Sequence, residues 1–135
     1  MLNEIKSFIK KCPCLKGKSV RANYLSEKPM TYSVEAVPCN PVIKEYVDGG
    51  SLRQYIFVFA SRELYDGEEI ENIKTAQFYE DFAAWLEECS KNKDLPDIPE
   101  GKSHKIEILS FGYLYESDAR YARFQMQLRL VYRKQ

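Results

Sequence analysis

The run Leu52–Ser61 constrains the fold more than any other segment, because it is apolar on both sides and follows an Asp48-Gly49-Gly50 turn signal. Turn glycines accept positive φ, and a run rich in β-branched and aromatic residues after such a turn is typical of a strand. With the apolar run Val42–Val47 before the turn, this predicts a β-hairpin. Such a strand either lies in the middle of a covered sheet or has one face that meets another molecule.

In an extended strand, the side chains of this run divide into two sets that point to opposite faces. One set is mostly aliphatic: Leu52, Gln54, Ile56, Val58 and Ala60. The other is mostly aromatic: Arg53, Tyr55, Phe57, Phe59 and Ser61. If helices cover one set, the aromatic set is either covered by a further helix or loop, or exposed. Large exposed apolar patches mark contact sites.

Hydrophobic periodicity places two helices around further strands. Apolar residues recur at helical spacing over residues 2–11, where Pro13 ends the helix, and over residues 68–91, whose early acids suit a helix N-terminus. Strands are predicted at residues 31–37, 105–115 and 121–132, with a proline break at 38–41, a loop at 94–101 and a turn at 116–120.

This order of elements predicts an α+β fold. We expect one domain over residues 1–135, with a mostly antiparallel sheet of four to five strands and two main helices packed on it. The composition, 44% hydrophobic and 30% charged, is that of a globular domain. A chain of this length buries enough surface to fold without metals or disulfides.

The last predicted strand alternates between two kinds of side chain. Its apolar side carries Ala122, Phe124, Met126, Leu128, Leu130 and Tyr132. Its other side carries Tyr121, Arg123, Gln125, Gln127, Arg129 and Val131. Alternation of this kind predicts one face in the core and one face that is solvated or meets a polar partner.

Charge is balanced overall but unevenly distributed. The 20 basic and 20 acidic residues give no net charge, which argues against nucleic acid as the main partner. The acids concentrate in residues 63–90, and bases dominate residues 1–30 and 119–135. This is either a solvated surface or a head-to-tail contact between copies, a geometry that can close into a ring.

The second alternative defines a candidate interface. Polar residues of the last strand would line a subunit contact or a ring lumen, the acidic helix of a neighbouring copy would face them, and the hairpin strand would supply the apolar part. The residues of the last strand are Arg123, Gln125, Gln127 and Arg129. The acids of the helix are Glu80, Asp81, Glu87 and Glu88, and the residues of the hairpin strand are Arg53, Tyr55, Phe57 and Phe59.

No pattern of residues predicts chemistry. A nucleophile–base pair would have to use His104, the one histidine. His104 lies at a predicted loop-to-strand junction, so we expect it to be an ordinary surface residue. The four cysteines, Cys12, Cys14, Cys39 and Cys89, lack zinc or redox spacing, so we expect them to be reduced and unliganded. We therefore predict no catalytic residues, no metal and no cofactor. The sequence has neither a signal-peptide pattern nor a long apolar run, so we expect a cytoplasmic protein without a membrane span.

Four segments, Val37–Glu63, Phe78–Glu87, Gly112–Tyr115 and Ala119–Gln127, resemble small structural proteins of long-tailed bacteriophages and prophages. These are the minor capsid or tail-terminator proteins, usually encoded between the head-completion genes and the major tail protein. The resemblance covers roughly residues 30 to 132. It implies a small α+β fold and a six-membered ring. Such a ring sits on the last ring of the tail tube, stops tube growth and presents a surface to the head connector.

The resemblance also implies the partners: further copies of the chain, the major tail tube protein and a head-completion or connector protein. DNA would pass through the ring without sequence-specific binding, and the ring would lie at the tail–neck junction of the virion after assembly in the bacterial cytoplasm. The alternative is a head-closure or head–tail adaptor protein of the same neck, and a third hypothesis is a small cytosolic enzyme or ligand-binding module.

Overall fold

The computed structural model describes residues 1–15, 18, 20–23, 25, 31–64, 69–117 and 121–135. In chain order its elements are α1 (Leu2–Ile9), a short 3-10 helix (Pro13–Leu15), β1 (Val20–Ala22), β2 (Thr31–Val37), β3 (Val42–Glu45), β4 (Ser51–Leu64), α2 (Glu69–Lys91), β5 (Lys102–Ser117) and β6 (Tyr121–Lys134). The predicted α+β class with a mostly antiparallel sheet is confirmed.

The predicted bounds differ from the observed ones at several ends. The first helix ends at Ile9 rather than at residue 11, and β3 ends two residues before Val47. The predicted start of the second helix, Glu68, lies outside the described residues. The predicted turn at 116–120 is only partly described, because residues 118–120 lie outside that part and the first two of its residues continue β5.

The sheet has the order β1-β2-β4-β6-β5, and β3 also pairs with β4. All its pairs are antiparallel except the parallel pair β1–β2. β2 and β3 follow the same edge of β4 in the same direction, since Val37 lies opposite Ile56 and Val42 lies opposite Arg53. The described part of the chain therefore has six strands rather than four to five. The additional strand is β1, whose three residues are too few to show a pattern.

The break between β2 and β3 lies at Pro38–Pro41, as predicted, since proline has no N–H to donate to a ladder. Gln54 of β4 occupies the gap. Its backbone N–H donates to the carbonyl of Pro41 at 2.8 Å, and its side chain donates to the carbonyl of Asn40 at 2.7 Å. One glutamine thus replaces the missing strand hydrogen bonds.

The predicted hairpin is confirmed, with β3 and β4 antiparallel around the Asp48-Gly49-Gly50 turn. Gly49 has φ +93°, and the N–H of Gly50 donates to Oδ1 of Asp48 at 3.0 Å. Val47 is fully exposed at the tip.

The core lies between one face of the sheet and the two helices. Ile5, Phe8 and Ile9 of α1 are buried there. The ring of Phe59 on β4 stacks on the ring of Phe82 on α2, with centroids 4.4 Å apart. The aromatic set of β4 is therefore the helix-covered set.

Tyr79 of α2 connects the helix to three strands. Its buried hydroxyl donates to the carbonyl of Phe124 on β6 at 3.0 Å and lies 2.7 Å from the hydroxyl of Ser61 on β4. Its ring lies against Gly112 of β5, where an added Cβ would be 2.3 Å from Cγ of Tyr79. Burial raises the pKa of Tyr79, so the hydroxyl remains protonated. This contact fixes the position of β5 relative to α2.

Candidate assembly surface

The outer strand β5 carries a row of exposed apolar side chains. The exposed fractions are 42% for Leu109, 64% for Phe111, 44% for Leu114 and 57% for Tyr115. We call these four residues the β5 stripe. Exposed apolar side chains scattered singly are ordinary, but four within seven residues of one edge strand are concentrated as they are at contact sites. They lie on both sides of the strand: Leu114 is opposite Phe124 on the helix side, whereas the Tyr115 ring lies under the Arg123 guanidinium, 5.3 Å away, on the other side.

Irregular pairing with β6 accounts for much of this exposure. The ladder is interrupted at four places, and Leu109, Phe111 and Tyr115 have no partner residue on β6. Bulges of this kind turn side chains away from the regular alternation. They also make the outer backbone a poor template for another strand, so a partner would contact the β5 stripe chiefly through side chains.

The β5 stripe was not predicted from the sequence. The available signal was the run Lys105–Tyr115, in which apolar residues occur on both sides of a strand, as they do in β4. In β4 this pattern reflects a central position with neighbours on both edges, whereas β5 has a neighbour on one edge in the described sheet. The same pattern therefore accompanies burial in one strand and exposure in the other.

The face of the sheet opposite the helices is lined by charged and amide side chains, and we call it the polar face. Its residues include Glu35, Gln54, Glu107, Arg123, Gln125, Gln127 and Arg129. Part of it is apolar, because Leu25 packs against Val58 and Ala60. The predicted alternation of β6 is confirmed, since its apolar set lies on the helix side.

Two ion pairs cross the polar face. The Arg123 guanidinium donates to both carboxylate oxygens of Glu35 on β2, at 3.0 and 3.1 Å. Arg129 donates through Nε to Glu107 on β5 at 3.0 Å and through Nη1 to Gln54 at 3.2 Å. The two arginines that β6 contributes to the predicted interface thus have carboxylate partners within their own chain. A double reversal of these arginines to glutamate would place carboxylates beside Glu35 and Glu107, and would disturb the fold as well as any contact.

The aromatic part of the predicted interface is corrected by the register of β4 and β6. Phe57 lies opposite Leu128 and Phe59 lies opposite Met126, and side chains directly opposite each other in an antiparallel pair point to the same face. Both phenylalanines are fully buried under the helices, on the face opposite Arg123 and Arg129. They cannot belong to the same contact as these arginines.

The two other predicted residues of β4 lie on the helix side as well. Tyr55 is partly buried and packs against the core, and Arg53 is partly exposed and donates to the hydroxyl of Ser51 at 2.9 Å. The predicted acids of α2 are exposed: Glu80, Asp81, Glu87 and Glu88.

Stability is expected to depend on pH through Glu107. Hydrogen bonds from Lys105 and Arg129 hold the pKa of its carboxyl below the ordinary value. Since this pKa is lower in the folded chain, the ion pairs stabilise the fold above the unfolded pKa of about 4.3. Their contribution is lost as the pH falls below that value. In thermal unfolding at pH 7, Glu107→Gln should have a lower melting temperature than the wild type. The loss in unfolding free energy should be less than about 1 kcal/mol, because the ion pair is partly exposed.

This difference in melting temperature should close as the pH is lowered from about 5 to about 3, because the wild-type carboxyl then becomes neutral as well. Lys44→Gln is a matched control, since it removes an exposed charge without touching Glu107. A difference between Glu107→Gln and the wild type that is the same at all these pH values would contradict a role for the ionised carboxylate.

Among the groups considered for chemistry, the thiols of Cys12 and Cys14 hydrogen-bond each other. His104 is exposed, and the hydroxyl of the neighbouring Ser103 donates to the carbonyl of Pro96 at 2.6 Å. The four cysteines are free thiols, with Cys12 and Cys89 buried and Cys39 exposed. Among the described residues, no three His, Cys, Asp or Glu side chains are placed to hold a metal ion. Stoichiometric zinc in protein purified without added metal would refute the prediction of unliganded cysteines.

No helix among the described residues is both long enough and apolar enough to cross a membrane. No protein-family model matches the chain, and no curated protein matches it.

Proposed function

We propose that this chain is a structural assembly protein of a long-tailed bacteriophage or prophage, a tail terminator that forms a six-membered ring on the end of the tail tube. The observation that carries the proposal is the β5 stripe, a concentration of large apolar side chains exposed on an irregular edge strand. The resemblance of residues 30 to 132 to tail terminators implies that the particle is a long-tailed phage and that the ring has six subunits.

The β5 stripe would act as one half of a contact between neighbouring subunits. If it meets a different surface on the next copy, the contact is head to tail, and repeating it closes a ring when the rotation between copies allows. Burying Phe111 and its neighbours would supply the apolar centre of that contact, as aromatic residues do at protein interfaces. The polar face would then be free to line the ring or to meet other components of the neck.

In this role the protein has structural partners and no catalytic activity. One side of the ring contacts the major tail tube protein and prevents further subunits from adding. The other side receives the head-completion or connector protein, and DNA passes through the centre. The ring assembles in the bacterial cytoplasm and remains in the virion at the tail–neck junction.

Electron microscopy of the full chain mixed with tubes of its cognate major tail protein tests the proposal. We expect a ring on one end of each tube and an arrest of tube growth. Tubes that keep bare ends and continue to lengthen would contradict the role of terminator. A ring bound to the filled head instead of the tube would identify a head-closure protein of the same neck.

Phe111→Asp is expected to weaken self-association at least about 30-fold, because the loss of a central aromatic contact typically costs about 2 kcal/mol or more. The side chain is exposed in the single chain, so the fold should be retained. Sedimentation velocity and circular dichroism measure the two effects separately.

Ile43→Asp is the matched control, since it adds the same charge at an exposed apolar position on β3, which pairs with β4 and not with β5. It should leave self-association within about threefold of the wild type. An equal loss of assembly in both variants would show that added charge, and not the β5 stripe, is responsible. Unchanged assembly of folded Phe111→Asp would exclude the β5 stripe from the contact.

A further inference from the structure

A basic groove lies at the end of the sheet where β5 begins and β6 ends. It is an open depression of about 980 Å³. Its basic lining residues are Lys93, Lys102, His104, Arg133 and Lys134. The acid among its lining residues is Glu100, whose carboxylate lies 3.4 Å from the amino group of Met1.

The cations of the basic groove are weakly compensated within the chain. Lys102 and Lys134 are exposed and form no ion pair with a carboxylate in the described ranges. Lys93 donates to the backbone carbonyl of His104 at 3.2 Å, which leaves its charge unbalanced. Arg133 lies over the ring of Tyr46 at 5.0 Å and reaches Asp48 only at 3.4 Å. The groove therefore differs from the middle of the polar face, where Arg123 and Arg129 each have a close carboxylate.

A complementary surface exists on the same chain, along the outer side of α2. Asp81 accepts a hydrogen bond from the neutral amide of Gln77, and Glu88 accepts one from Asn92. Glu80 and Glu87 are exposed, and neither forms an ion pair with a cation in the part of the chain that the structure describes. We call these four residues the α2 acids.

We propose that the basic groove receives the α2 acids of a second copy of this chain. The inference rests on the proposed self-assembly and names a polar part of that contact. Strand β5 connects the two parts, because Lys102 in the groove and Leu109 in the β5 stripe are seven residues apart, or roughly 23 Å along a strand. A neighbouring subunit that covers the stripe can thus also reach the groove.

The pairing reassigns the partner of the acidic helix. The sequence pattern predicted that the helix of a neighbouring copy faces Arg123 and Arg129. Those arginines already form ion pairs with Glu35 and Glu107 of their own chain. The lysines of the basic groove are the less compensated cations. A second copy is favoured over nucleic acid because the whole chain has no basic surplus and carries the complementary acids itself.

A charge-swap experiment on the full chain tests this pairing. Lys102→Glu with Lys134→Glu reverses the groove, and Glu87→Lys with Glu88→Lys reverses the helix. All four side chains are exposed, so we expect folded variants. Each reversal should weaken self-association at least about tenfold, and the chain carrying all four substitutions should recover to within about threefold of the wild type. Self-association of the wild type should also weaken in high salt.

Lys10→Glu with Lys11→Glu is the matched control, since it makes the same change in net charge outside the groove, and it should have little effect. Normal assembly of either reversal, or failure of the fourfold variant to recover, would overturn the pairing and leave the β5 stripe untouched. A monomeric wild type would overturn both the pairing and the proposed function. If the groove reversal abolished binding of a short DNA duplex but not self-association, the groove would be a phosphate-binding surface instead.

Discussion

Phe59→Ala is expected to lower the free energy of unfolding by about 3–5 kcal/mol, the usual cost of removing a buried phenylalanine ring. Phe59 is fully buried, and its ring stacks on Tyr32 and Phe82 at centroid distances of 5.8 and 4.4 Å. The surrounding rings belong to both the sheet and α2, so they could close the cavity only if the two layers moved toward each other and repacked. Urea denaturation followed by circular dichroism measures the loss.

Phe111→Ala is the matched control, because it removes the same side chain from an exposed position. We expect its unfolding free energy to stay within about 0.5 kcal/mol of the wild type, while self-association weakens. The two phenylalanines should thus separate stability from assembly. If Phe59→Ala kept wild-type stability and lost only assembly, Phe59 would be a contact residue and the helix-covered face would be wrongly assigned.

Gly112→Ala should have the second largest effect on stability, a loss of about 1–3 kcal/mol from overpacking. An added Cβ would lie 2.3 Å from Cγ of Tyr79. The tyrosine cannot withdraw without breaking its hydrogen bonds to Ser61 and to the carbonyl of Phe124. The bulged middle of β5 would therefore be pushed away from α2. Urea denaturation again provides the measurement.

Gly50→Ala is the control for a glycine substitution in general. The nearest atom to its added Cβ is Oδ1 of the Asp48 side chain at 3.3 Å, which can move by a few tenths of an ångström. We expect a change of less than about 1 kcal/mol. Equal losses for both variants would mean that backbone freedom, and not the contact with Tyr79, decides the effect at Gly112.

The elements that depend on nearby residues could be predicted from the sequence. The Asp48-Gly49-Gly50 turn, the proline break at 38–41 and the alternation of β6 are set by the local conformational preferences of glycine and proline and by the side-chain period of a strand. For the same reason, the α+β order of two helices and a mostly antiparallel sheet followed from periodicity alone.

Features that depend on pairing between distant segments could not be predicted. Whether Phe59 faces the helices depends on its alignment with Met126. The partner of Arg123 is Glu35, which is 88 positions away in the chain. The β5 stripe depends on bulges in β5, and no residue type in that run specifies where an edge strand loses its pairing. These are the reasons why the predicted interface combined residues from both faces of the sheet.

We propose that the chain is a ring-forming assembly protein, a claim that can be checked by the native mass of the intact protein. Native mass spectrometry of the full chain should give a species of six times the 15.8 kDa of one subunit. Phe111→Asp should shift that species to the mass of a single folded chain. A wild-type protein that is monomeric at all accessible concentrations would contradict the claim.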